Sequence, residues 1–75
     1  MTTMNVIIPK KEDVEDFVTK VSEFPCDVNL TAGRFVIDAK SILGVLGLGV
    51  GKVLKMEANT DNVEPLKSAL QKYIS

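Results

Sequence analysis

Few side chains in this 75-residue sequence can do chemistry, and one absence narrows the choice further. There is no histidine, so the commonest general base, metal ligand and phosphoryl-accepting imidazole are missing together. One thiol remains, Cys26, and it excludes an internal disulfide. It also falls short of the roughly four nitrogen or sulfur ligands that zinc requires, so no metal and no cofactor are expected. Two adjacent amines, Lys10 and Lys11, could form a small anion site. Glu12, Asp13, Glu15 and Asp16 surround them, however, and solvated lysines are the simpler reading. The hydroxyl that stands out is Ser41, at the head of the apolar, glycine-spaced run Ile42-Leu43-Gly44-Val45-Leu46-Gly47-Leu48-Gly49. A serine there suits a helix N-cap, and a phosphate added to it would meet free amide hydrogens and a favourable dipole.

The run behind Ser41 is richer in apolar residues than one buried face of a short helix needs. Ile42 or Leu43, together with Leu46, should therefore remain exposed, and exposed apolar clusters mark interaction sites. The expectation is a protein partner bound through Ser41 to Leu48, with Ile42, Leu43 and Leu46 in contact.

The remaining segments must position that helix. Met4 to Ile8 is a β-branched run closed by Pro9, which suits a strand. Val14, Phe17, Val18, Val21 and Phe24 recur at spacings of three and four, and predict a helix that begins near residues 10–13 and ends before Pro25. Its first turns are acidic, as the helix dipole favours. Cys26, Val28 and Leu30 then alternate with polar residues, Ala32-Gly33-Arg34 turns the chain, and Phe35, Ile37 and Ala39 alternate on the return, so residues 26–39 read as a hairpin. Phe17, Phe24 and Phe35 are expected in the core. After Gly49 and Gly51, Leu54, Met56 and Ala58 alternate with Val53, Lys55 and Glu57 in a further strand. Val63, Leu66, Leu70 and Tyr73 or Ile74 predict a last helix, capped by Asp61 or Asn62 with Pro65 in its first turn.

This order predicts an α+β domain spanning 1–75: a four-stranded antiparallel sheet covered on one face by three helices, β-α-β-β-α-β-α. Asn29, Thr31, Asp38, Lys55 and Glu57 would face solvent. A ferredoxin-like split of the same strands is also compatible with the pattern. Composition agrees with one small globule, 45% apolar and 25% charged. Nine basic residues nearly balance ten acidic ones, a net charge of −1, which leaves no field to hold a nucleic acid. No run approaches a membrane span and no signal-peptide pattern opens the chain, so a cytoplasmic setting is expected.

Phe24, Asp27-Val28-Asn29-Leu30, Lys40-Ser41-Ile42-Leu43-Gly44-Val45 and Leu48-Gly49-Val50 together resemble the histidine-containing phosphocarrier (HPr) family of the bacterial sugar phosphotransferase system. The resemblance implies an open-faced β-sandwich. It places Lys10 at the position of the family's phosphorylated histidine, with Glu12 and Asp13 in place of an arginine and a proline. A protonated lysine is a poor phosphoryl acceptor, and the carboxylates repel an incoming anion. The resemblance also implies that Ser41 is the serine phosphorylated by a dedicated kinase in Gram-positive members, near the position now held by Glu12, and that the helix behind it docks partner enzymes. The reading is thus a non-enzymatic HPr-like regulatory module switched through Ser41. The alternative is a phosphocarrier with a non-histidine acceptor, Lys10 or Cys26.

Overall fold

The computed structural model describes residues 1–75. Strand β1 (Thr2–Ile7) leads through a 3-10 turn at Lys11–Asp13 into helix α1 (Val14–Ser22). Strands β2 (Val28–Ala32) and β3 (Phe35–Asp38) follow, then α2 (Ile42–Leu48), β4 (Val53–Ala58) and α3 (Glu64–Ala69), with a closing 3-10 turn at Gln71–Tyr73. The four strands lie in the order β1-β4-β2-β3, every neighbouring pair antiparallel. The open-faced arrangement is therefore realised, with α3 following the last strand.

Period determines what is buried. In α1, Val14, Phe17, Val18 and Val21 are all buried. In the sheet, Val6, Val28, Leu30, Leu54, Met56 and Ala58 point the same way into one cluster of 17 buried residues. Burying each large apolar side chain is worth about 1.5–3 kcal/mol, enough to outweigh the modest helix propensity of valine-rich α1. The outer face carries Asn29, Thr31, Asp38, Lys55 and Glu57, none of them buried. Thr31, between Val36 and Lys55 in register, holds the one buried side-chain polar atom without a hydrogen-bond partner, its Oγ1.

Three expectations need correction. Phe35 shares the helix-side face with Ile37 but is 65% exposed, because it pairs with Ala32 at the hairpin tip, on an edge strand beyond the reach of the helices. Cys26 lies in a bend ahead of β2, not in the strand; Pro25 directs the chain away from α1, and the half-buried thiol only packs against the core margin. Helix α3 starts at an N-cap, Val63, that has no side-chain bond; Thr60 Oγ1 instead accepts from the Asn62 amide at 3.1 Å and closes the turn before it. Phe24 is half-buried, as is Ile74, whereas Tyr73 is buried.

Tyr73 joins the end of the chain to α1. Its ring meets Phe17 edge-on with centroids 5.3 Å apart, and its hydroxyl donates to Asp16 Oδ2 at 2.5 Å. Lys20 and Lys72 reach the same carboxylate oxygen at 3.2 and 3.5 Å. The Tyr73 hydroxyl bond, followed by Lys20, holds the Asp16 carboxyl below its ordinary 3.8. Burial, followed by the bond to Asp16, pushes the Tyr73 phenol well above its ordinary 10.0.

Two predictions follow from these groups. A depressed carboxyl contributes stability above its unfolded value, lost as pH falls through the lower folded value; a raised phenol contributes below its unfolded value, lost as pH rises through the higher folded one. Urea titrations from pH 2 to pH 12 should show stability declining at both acid and alkaline ends, and Tyr73→Phe should flatten both declines while lowering the plateau by about 1 kcal/mol. Thr31→Val, which removes the unpartnered hydroxyl at nearly constant shape, should leave the urea midpoint unchanged or raise it, by up to about 1 kcal/mol.

Candidate functional site

The surface around α2 is built from the end of β3 onward. The Ser41 amide donates to Asp38 O at 3.0 Å, closing a turn that leaves Ser41 extended (φ −101, ψ 112). From there Oγ accepts from the Gly44 amide at 3.2 Å, while its carbonyl accepts from Val45 at 3.0 Å. Ser41 is thus the N-cap of α2, as its type and position predict. Gly44 permits close approach: a Cβ there would lie 3.3 Å from Ser41 Oγ and 3.4 Å from Ile37 Cβ. Gly49, at φ +106, ends the helix in a conformation that side chains disfavour.

Seven residues give α2 a length of about 10 Å and two buried anchors, Val45 and Leu48. Ile42, Leu43 and Leu46 face outward, 45%, 82% and 38% exposed. Leu43 and Gly47 also form one wall of an apolar groove of about 480 Å³, whose opposite wall is Ala32, Phe35 and Ile37 of the hairpin. Lys52 is the only charged residue lining it. Phe35 and Lys52 were not legible as site residues: alternation assigns a strand residue to a face but does not say whether another element covers it there. The position of Phe35 immediately after a two-residue turn was the available signal.

Lys40 fixes the start of α2. Its Nζ donates to the Phe24 carbonyl at 2.6 Å, just beyond α1, and its amide donates to Asp38 Oδ1 at 2.9 Å. At the other end of α2, the Gly51 amide donates to Ile8 O at 2.7 Å, next to Pro9 and Lys10. No hydrogen bond joins Ser41 to Lys10.

Lys10 is exposed and extended (φ −137, ψ 158) ahead of the 3-10 turn. It borders a shallow hollow shared with Pro9, Asp13, Lys72 and Tyr73. Glu12 lines a separate acidic hollow with Glu15, Asp16 and Thr19, and no hydrogen bond or ion pair joins it to Ser41. A carboxylate-lined surface disfavours an approaching phosphoryl group. No cluster of three or more cysteine or carboxylate residues is placed to hold a metal ion, and no helix is long and apolar enough to cross a membrane.

The cap makes a measurable prediction. Ser41→Ala should lower stability by about 1 kcal/mol in thermal or urea denaturation, and Ser41→Asp should recover most of the loss, since aspartate caps as well as serine and adds a favourable charge at the amino end.

Comparison with known proteins gives one answer at two levels. A family model described as the PTS HPr component phosphorylation site matches residues 13–75, beginning just after Lys10 to Glu12. Among solved structures, HPr-C-His from Thermoanaerobacter tengcongensis is 30% identical, with TM-score 0.81 over 99% of this chain and 91% of that one. The fold also matches a phosphocarrier protein HPr from Bacillus anthracis strain Ames (21% identity, TM-score 0.76, covering 96% of this chain and 95% of that one). A Mycoplasma histidine-containing phosphocarrier protein matches likewise (17% identity, TM-score 0.75, 95% and 89%). No curated protein matches. The match over residues 13–75 and the 30% identity along nearly the whole chain lead to one conclusion: this chain belongs to the HPr family of the phosphotransferase system.

Proposed function

We propose that this chain is a regulatory interaction module of the phosphotransferase system that does not carry phosphate on a histidine and engages its partner through α2. The observation that carries the reading is a pairing of absence and retention. The sequence contains no histidine, yet Ile42, Leu43 and Leu46 remain outward-facing behind a formed Ser41 cap. A protein that had lost both chemistry and partners would gain nothing from keeping three apolar side chains in water. Lys10 takes the place of the family's histidine in this reading, and the neighbouring carboxylates Glu12 and Asp13 make the site unsuited to phosphoryl transfer. The partners are proteins of the phosphotransferase system or of carbon regulation, in the cytoplasm.

Ser41 is the switch in this proposal. Its hydroxyl accepts one amide hydrogen in the unmodified state. A phosphate there would bring about −1.5 to −2 charges to the edge of a mainly apolar surface, changing which partner fits without requiring the core to move.

The test uses the first enzyme of the phosphotransferase system as the probe. Its addition to isotopically labelled protein should perturb the amides of Ser41 to Leu48, and Leu43→Glu, at a position too exposed to unfold the domain, should weaken the interaction at least tenfold. Binding that ignores Leu43→Glu and perturbs other elements would contradict the α2 assignment. Incubation with an HPr serine kinase and ATP should add one phosphate, placed on Ser41 by mass spectrometry; an unmodified Ser41 would remove the switch from the proposal.

A further inference from the structure

The two edges of the sheet are not equivalent. Along β1 the edge is engaged by the end of the chain: Val6 bridges Ile74, and the Ser75 amide donates to Asn5 O at 2.9 Å. Strand β3 pairs only with β2 and has no neighbour on its other side. An unpaired edge is ordinarily blunted by a lysine, a proline or an inward charge. Apart from the shortness of its four residues, this one has none between Phe35 and Ile37, and Phe35 and Val36 are 65% and 60% exposed on opposite faces.

The phase of the backbone shows what the edge offers. The Ala39 amide donates to Val28 O at 2.8 Å, and a two-residue turn at Gly33-Arg34 places Phe35 opposite Ala32. Phe35, Ile37 and Ala39 therefore direct their peptide groups to β2, and the intervening residues direct theirs outward. The Asp38 carbonyl already accepts from Ser41. The Val36 N–H and C=O, the Asp38 N–H and the Arg34 C=O remain available on the open side.

We propose that β3 pairs with β3 of a second copy of this chain, antiparallel about a two-fold axis at Val36, to give a continuous eight-stranded sheet. The register follows from the side chains. With Val36 opposite Val36 of the partner copy, Phe35 faces the other copy's Ile37 on the helix side and Arg34 faces the other copy's Asp38 on the outer side. Two opposite-charge pairs and two apolar pairs form by symmetry, each on its own face of the sheet. The available backbone groups are used as well: the two Val36 residues exchange N–H···O bonds, and each Asp38 N–H donates to the other copy's Arg34 carbonyl. Sliding one copy by two residues puts Asp38 opposite Val36 and separates the arginine from the carboxylate, so charge complementarity selects one register. The surface adjoins α2, since Phe35 and Ile37 line the same groove as Leu43, but the inference does not depend on the α2 side chains having a partner.

Pairing of two four-residue strands covers much less than a standard interface, and a dissociation constant on the order of 0.1–1 mM is expected. Sedimentation equilibrium up to about 1 mM, with amide spectra recorded on dilution, should show a monomer–dimer equilibrium whose concentration-dependent shifts centre on Arg34 to Asp38. Val36→Lys, which sets like charges face to face on the axis, should weaken dimerisation at least tenfold, and Arg34→Asp should do the same. The charge-swapped double variant Arg34→Asp/Asp38→Arg should restore it, with circular dichroism confirming that each variant is folded. A chain that stays monomeric throughout would overturn the proposal, as would a dimer indifferent to Val36→Lys and Arg34→Asp. Failure of the folded double variant to recover would overturn the register.

Discussion

A four-stranded sheet covered by three helices of nine, seven and six residues cannot be covered completely, and the rest of the molecule follows from that constraint. The helices close over the middle of one sheet face, where Leu30, Leu54 and Met56 reach complete burial. Coverage stops short of the hairpin tip, so Phe35 projects into water beside Ile37. The shortfall also makes α2 a thin lid: Val45 and Leu48 anchor it, Gly44 lets it settle close to Ile37, and the remaining apolar side chains face out. Which positions face water is thus a geometric consequence of a small helical layer, whereas their apolar character is set by the sequence.

The surface around α2 and the head of α1 divides into two chemically different parts. The α2 part is firmly held, from the Lys40 bond to the Phe24 carbonyl, through the Ser41 cap, to the glycine at its end. The head of α1 is different. Its side chains are lysines followed by a run of carboxylates, and Asp16 in that run is committed to Tyr73, Lys20 and Lys72. A group held in such a network serves the attachment of the chain's end to α1. The acidic surface and the apolar surface meet different physical requirements: one carries the ion-pair network at Asp16, the other leaves Ile42, Leu43 and Leu46 in water.

How much of this was legible in the sequence depended on whether the signal was local. The spacing of Val14, Phe17, Val18 and Val21 specifies α1 because each shares a face with residues three or four away. Ser41 is legible as a cap because its partner, Gly44, is three residues on. The exposure of Phe35 has no signature in the alternation, because alternation reports a face, and coverage of that face depends on helices elsewhere in the chain. Asp61 and Asn62 have the chemistry of caps, but the helix begins later, with Val63 at its N-cap, after a turn closed by Thr60. The Tyr73–Asp16 bond spans 57 residues and has no local signature.

The central claim is that a member of a phosphocarrier family has kept its interaction surface without histidine-based transfer. The most direct measurement is phosphoryl transfer from labelled phosphoenolpyruvate through the first enzyme of the phosphotransferase system to this chain, read by intact-mass spectrometry under conditions that preserve acid-labile phosphate. The account predicts an unchanged mass, while a histidine-bearing HPr in the same reaction gains one phosphate. A stoichiometric phosphoryl group on this chain, mapped to Lys10 or Cys26, would contradict it.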